Sequence, residues 1–239
     1  MIRRVRRSKG AVAAGWTPPD ILGCVLWLDA NKITGLADGA EVLTWTDAST
    51  AGNDATGNSG QVPVYKTNIQ NGLPVVRYDG AGDILTITGL GTGSFSGISK
   101  GTAFVVFSPT SDAEYAVLYF AGVNTGFWRW GEDGNGYMAL FRSARLVGAP
   151  TAQPTTGWHL HTIRSGPTNG YDIRRNGSLD VDVAASWWVS TDATLGLEYA
   201  GTDLAGDIGE VILYNDELSD ADVATVEAYL SDKWGIALA

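Results

Sequence analysis

The chain has 239 residues, 44% apolar and 18% charged, enough to bury a sizeable core, which excludes disorder for most of its length. No apolar run reaches the roughly 18 residues of a membrane span, and the single cysteine, Cys24, excludes an internal disulfide and reads as a small buried apolar side chain. The net charge of −10 is uneven: Arg3, Arg4, Arg6, Arg7 and Lys9 lead the chain, and without these five of the 16 basic residues the remainder, with 26 acids, stands at −15. Such a body repels phosphate backbones, which argues against nucleic-acid binding by the domain.

Residues 1–19 read as a flexible cationic arm. The apolar stretch Ala11-Val12-Ala13-Ala14 is too short for a secretory signal, and Pro18-Pro19 stiffens the entry to the domain. Residues 20–239 show no linker, no low-complexity tract and no fixed repeat, so they read as one domain. Short β-rich runs separated by Gly, Asn, Asp and Pro predict strands at 25–28, 42–45, 75–78, 84–88, 103–107 and 116–121. Further strands are predicted at 127–130, 137–141, 159–164, 171–175, 178–183, 193–197 and 209–214. Asn176-Gly177 supplies the two positive φ residues of a type I′ hairpin turn. Beyond that turn, Leu179, Val181 and Val183 alternate with Asp180 and Asp182, which predicts one buried and one wet face. A single helix is predicted over 219–233, with Ser219 as N-cap, Asp222 at the third position, Leu218 stapled onto Val223, and Gly235 as the stop. Val223, Val226, Leu230 and Trp234 form its apolar face, which must close against a sheet. The fold class is therefore all-β, an antiparallel sandwich with a short C-terminal α-helix.

Several segments carry a resemblance. Leu26-Trp27-Leu28-Asp29-Ala30, Trp45-Thr46-Asp47-Ala48-Ser49, Gly52-Asn53-Asp54-Ala55-Thr56 and Pro63-Val64-Tyr65 follow in order. After them come Asn71-Gly72-Leu73-Pro74-Val75-Val76-Arg77-Tyr78-Asp79-Gly80 and Gly157-Trp158-His159-Leu160-His161. The series closes with Ile208-Gly209-Glu210-Val211-Ile212-Leu213-Tyr214, Leu218-Ser219-Asp220-Ala221 and Tyr229-Leu230-Ser231-Asp232-Lys233-Trp234-Gly235-Ile236. Over residues 20–237 the set resembles the laminin-G-like, concanavalin-A-like jelly rolls of bacteriophage and related virion structural proteins. The resemblance implies two curved antiparallel sheets packed face to face. It also implies a non-enzymatic structural or decorating protein of a phage-like particle, in a head or tail appendage, located in the virion and assembled in the host cytoplasm. Arg3, Arg4, Arg6, Arg7 and Lys9 would then dock it onto other particle proteins or onto a neighbouring copy, giving a homo-oligomer, with host glycans as a further contact. A cell-surface carbohydrate-binding module and a divergent glycoside hydrolase stay open as alternatives, because this sandwich hosts both.

Glycoside hydrolysis needs two carboxylates about 5–9.5 Å apart. The resembling glucanases place theirs as Glu-x-Asp-x-(x)-Glu on one strand, and no such run occurs here. Asp180 and Asp182 alternate correctly but are predicted to face water, and Glu210 stands alone. His159 and His161 share a strand face, a geometry two metal ligands would need, yet no cysteine lies near, and packing explains them better. Gly89-Leu90-Gly91-Thr92-Gly93-Ser94 lacks the Lys-Ser/Thr ending of a phosphate loop and no helix follows it. Calcium is the ion the resemblance allows, at a rim such as Asp79 and Asp83 or Asp203 and Asp207. Those acids read as solvated turn residues, so no cofactor and no metal ligand is assigned. Trp27, Trp45, Trp158 and Trp234 read as core. Trp128 and Trp130, alternate on one strand, and the adjacent Trp187 and Trp188 are the candidate ligand-binding aromatics, since sugars stack on exposed Trp.

Overall fold

The computed structural model describes residues 15–110, 115–120, 127–132, 137–142, 144–148, 156–167, 170–183, 192–196 and 203–239. Strands run Cys24–Asp29 (β1), Thr44–Trp45 (β2), Ala55–Thr56 (β3), Val64–Gln70 (β4), Leu73–Asp79 (β5), Leu85–Ile87 (β6), Gly101–Pro109 (β7) and Tyr115–Phe120 (β8). They continue as Phe127–Glu132 (β9), Tyr137–Arg142 (β10), Ala144–Gly148 (β11), His159–Gly166 (β12), Gly170–Arg175 (β13), Ser178–Val183 (β14), Ala193–Leu195 (β15) and Ala205–Tyr214 (β16). Helix α1 spans Asp220–Trp234. Every predicted strand meets an observed one; β3, β4 and β11 have no counterpart among the predicted strands.

Two antiparallel sheets face each other. One has the order β14-β13-β12-β7-β16-β5-β4, with β1 also paired to β16; the other runs β11-β10-β9-β8-β15-β6-β3-β2. Helix α1 covers the outer face of the first, the helix-side sheet, so its central strands β12, β7 and β16 are buried on both sides. Strand β7 shows the consequence. Ala103, Val105 and Phe107 join the core between the sheets, while Phe104 and Val106 join Leu160, Ile212, Val226 and Trp234 beneath the helix. A strand covered on both faces loses its alternation and reads as an unbroken apolar run.

The local devices that end and start α1 are those the sequence predicts. Ser219 Oγ accepts from the Asp222 amide at 3.2 Å. Leu218 and Val223 are both buried in the helix-side cluster, and Gly235 closes the helix in the left-handed conformation. Gly209 sits at a β-bulge in β16, where a Cβ would lie 2.7 Å from the Trp234 ring, so only glycine lets the indole rest on the sheet. Trp16 packs on Tyr229 at 5.3 Å and the Pro18 carbonyl accepts from Tyr214 Oη at 2.9 Å. The packed chain thus begins ahead of the boundary drawn at residue 20.

The 176–177 hairpin forms with φ of 46° and 80° at its two central residues, but its faces differ from expectation. Leu179, expected inside, is 51% exposed, and Asp180, expected in water, is half-buried beside Arg175. The cause is a bulge: Ile173 pairs with Val181 but Arg174 pairs with Leu179, so one residue slips and the alternation inverts beyond it.

Candidate functional site

Hydrolysis would depend on paired acids, and Glu210 is not alone: Asp29 of β1 is its direct cross-strand partner. Like charges so placed repel, and Lys233 of α1 answers both, its Nζ lying 2.7 Å from Asp29 Oδ2 and 2.7 Å from Glu210 Oε2. Glu210 also accepts from Trp27 Nε1 at 2.7 Å, Trp234 Nε1 at 2.8 Å and Tyr229 Oη at 3.0 Å. Burial pushes its carboxyl above the ordinary range, with Lys233 opposing and Asp29 adding to the shift. Both carboxylates are buried under α1 and bound to protein donors, so this pair holds the helix on the sheet.

His159 and His161 do share a face, their rings 6.0 Å apart, but it is the face toward the core, against Phe107. Burial drives both below the usual histidine range, His159 to about 4, and the Arg175 charge adds to the shift in each. The acidic rim is a hydrogen-bonded turn. Asp83 Oδ2 accepts from the Asp79 amide at 2.9 Å, Asp79 Oδ1 accepts from the Ala81 amide at 2.8 Å, and Asp207 is committed to Arg77 at 2.7 Å and 2.8 Å. Among the described residues no three His, Cys, Asp or Glu side chains converge as metal ligands. Residues 89–94 form a turn whose Gly89 amide donates to Asp192, with Leu90 and Phe95 plugged into the core. Cys24 is half-buried, and burial followed by the nearby Asp47 charge raises its thiol to about 12.

The motifs around Trp45 and Asn53 build a scaffold and, with it, a cleft. Asp47 is buried and accepts four bonds. Its Oδ1 takes the Trp27 and Ser49 amides at 2.8 Å each, and its Oδ2 takes Ser49 Oγ at 2.8 Å and the Asn53 amide at 2.9 Å. Asn53 Nδ2 donates in turn to the Val25 carbonyl at 2.7 Å. Changing Asp47→Asn puts a donor where one of these amides or the hydroxyl points; a loss of about 1–2 kcal/mol is expected in denaturant unfolding. Extended backbone then sends Trp45 and Asp47 inward and Thr44 and Thr46 outward. On the facing wall, Asp29 caps the 3-10 turn Ala30–Lys32 by accepting from the Asn31 amide at 3.0 Å.

Between these walls lies an open cleft of about 360 Å³. Its polar lining is Lys32, Thr34, Glu41, Thr44 and Thr46, and Leu36 and Leu43 supply apolar surface. Lys32 Nζ stands 4.5 Å from the centre of the Trp27 ring. Glu41 is tied to Ser59 Oγ at 2.6 Å and the Gly60 amide at 2.9 Å, bonds that hold its carboxyl below the usual range. The sequence marks only part of this: Thr44 and Thr46 alternate about a predicted strand, but nothing local brings Lys32 opposite them.

The aromatic candidates lie elsewhere. Trp128 and Trp130 occupy alternate positions of β9, opposite Leu140 of β10 and Tyr115 of β8. Their side chains, all of Trp187 and Trp188, and Arg3, Arg4, Arg6, Arg7 and Lys9 lie outside the described residues.

No protein-family model matches the chain, and no curated protein matches it in sequence. Among solved structures it is similar to Trypanosoma rangeli sialidase in complex with 2,3-difluorosialic acid: TM-score 0.61, 15% identity, over 88% of this chain and 33% of that one. It is also similar to HCR/D-Sa-GBL1/C, with TM-score 0.63 and 13% identity over 90% of this chain and 53% of the other. The binding domain of botulinum neurotoxin DC in complex with SialylT gives TM-score 0.61 and 14% identity, over 90% and 52%. The chain is an antiparallel jelly-roll sandwich. At these identities the likeness extends to the fold alone, and the chain spans a third of the sialidase and about half of each of the other two structures.

Proposed function

We propose that this sandwich is a non-catalytic glycan-binding module, carried as a structural or decorating protein of a phage-like particle. The observation that carries the glycan reading is the open cleft, lined by three threonines, a lysine and a glutamate together with the apolar Leu36 and Leu43. That mix suits a saccharide, whose hydroxyls need partners and whose C–H faces need apolar contact. Two neighbours in fold support it, since one is a sialidase bound to a sialic acid analogue and another a toxin binding domain in complex with SialylT. The non-catalytic reading rests on Asp29 and Glu210, the cross-strand carboxylate pair, being sealed beneath α1. The particle role rests on the ordered segments from Leu26 to Ile236 and on the charge contrast between residues 1–19 and the acidic domain. In that role Arg3, Arg4, Arg6, Arg7 and Lys9 dock on a neighbouring copy or another particle protein.

A glycan array probed with the full chain tests the module. Saturable binding to at least one saccharide class is expected, without release of reducing ends. Thr46→Trp, a bulky ring placed on the exposed cleft wall, should abolish it while leaving the melting temperature unchanged. Turnover of any bound glycan would sink the non-catalytic reading, and binding indifferent to Thr46→Trp would move the site away from the cleft.

A further inference from the structure

Resting on the glycan reading of the cleft, we infer that its ligand is an acidic saccharide, whose anionic group is bound by Lys32. The observation behind this is how the cations are paired. Among the described side chains, Lys66 pairs with Asp38, Arg77 with Asp207 and Lys100 with Asp216. Arg164 pairs with Asp172 and Asp220, Arg174 with Glu227, Arg175 with Asp180, and Lys233 with Asp29 and Glu210. Lys32 is the exception among the described residues: it makes no ion pair, in a chain with 26 acids against 16 basic residues. In so acidic a protein an unpaired ammonium is a departure from the pattern, and it stands on the wall of the cleft.

The neighbourhood keeps it available. Glu41, the acid that also lines the cleft, is bonded to Ser59 and Gly60 and makes no ion pair with Lys32; it stays charged, so the anionic group of a ligand must seat on Lys32 and away from Glu41. The Trp27 ring beneath Lys32 holds the ammonium by its negative π face without consuming its N–H donors, a cation–π contact that orients the group. Trp27 is itself fixed, its indole N–H bound to Glu210. An ammonium placed on a rigid platform loses little freedom when a ligand arrives, so its bond to an anion adds to affinity with a small ordering cost. Thr34, Thr44 and Thr46 then meet ring hydroxyls, and Leu36 and Leu43 meet the apolar face. A cleft of about 360 Å³ lies at the small end of the roughly 300–1,000 Å³ typical of ligand sites, which fits a short saccharide.

Isothermal titration with three probes tests this: oligogalacturonate, a sulfated galacto-oligosaccharide and the neutral galacto-oligosaccharide. At least one acidic probe is expected to bind about ten-fold tighter than the neutral one, the value of a charge-assisted hydrogen bond. The preference should fall with added salt, should vanish in Lys32→Met, and should survive in Lys32→Arg. Binding should also move the Trp27 indole N–H resonance, and less so in Lys32→Met. Lys32 is exposed, so the variants keep the wild-type melting temperature, which is checked alongside. Equal affinity for acidic and neutral probes, or a preference unchanged in Lys32→Met, overturns the inference while the glycan reading stands. Failure of all three probes together with a blank glycan array removes the glycan reading and this inference with it.

Discussion

Lowering the pH from 7 to 4 is expected to cost the sandwich roughly 3 kcal/mol through His159, the free energy of a pKa held at about 4 in the folded state against 6.5 unfolded. The depressed value sets the sign. The unfolded chain takes up the proton as pH falls through 6.5, while the native imidazole, buried against Phe107 with Arg175 near, refuses it until about 4. The stabilisation is therefore complete above 6.5 and lost on the way down to 4. His161, fully enclosed and lowered further by burial, His159 and Arg175, adds a deficit of the same sign. Glu210, Glu227 and Asp180 act oppositely, because burial raises their carboxyls and the native state holds their protons more readily than the unfolded chain. His159→Phe separates the terms. It leaves the carboxylates in place and removes the imidazole, so its unfolding free energy should gain on wild type by roughly 3 kcal/mol between pH 7 and pH 4. Parallel stability curves for the two proteins would mean that the histidine is not buried in its neutral form.

What the sequence carries plainly is whatever neighbours along the chain decide. Asn176-Gly177, Ser219 with Asp222, and Gly235 are legible because each device completes itself within a few residues. The alternation of His159 and His161 gives their shared face, but not which side of the sheet that face meets. That depends on α1, far along the chain, covering the other side. Leu179 and Asp180 exchange their expected places because a bulge inverts the alternation, and a bulge is a property of the strand pair. Strand β4 escapes a sequence reading because its Val64–Gln70 is mostly polar and bends at Asn68, which has a φ of 55°. The cleft is least legible of all. That Lys32 has no acid becomes visible only once Arg77 has found Asp207, 130 positions away, and Lys66 has found Asp38.

The same long-range pairing gives the second large effect, at Glu210. Glu210→Ala is expected to destabilise the fold by about 3–5 kcal/mol, the range for removing one partner from a buried ionic network. Four donors lose their acceptor at once: two indole N–H groups, one phenol and the Lys233 ammonium. Neither indole has a route to water, since Trp27 and Trp234 are buried under the helix. Glu210→Gln keeps the shape and one acceptor oxygen but turns an amide toward a cation or an indole N–H, so an intermediate loss of about 2 kcal/mol is expected. Lys233→Met tests the network from its other end, because it leaves Asp29 and Glu210 facing each other across two strands without a cation. Two carboxylates in that position share a proton more readily than they share a charge. The Lys233→Met protein should therefore be destabilised at pH 7 and regain stability relative to wild type as the pH falls, since the native pair binds protons that the unfolded carboxylates do not. Urea unfolding of the three variants at pH 7 and pH 5 reads all of this. A loss below about 1 kcal/mol for Glu210→Ala would mean that apolar packing of Val226, Leu230 and Trp234 alone holds the helix to the sheet.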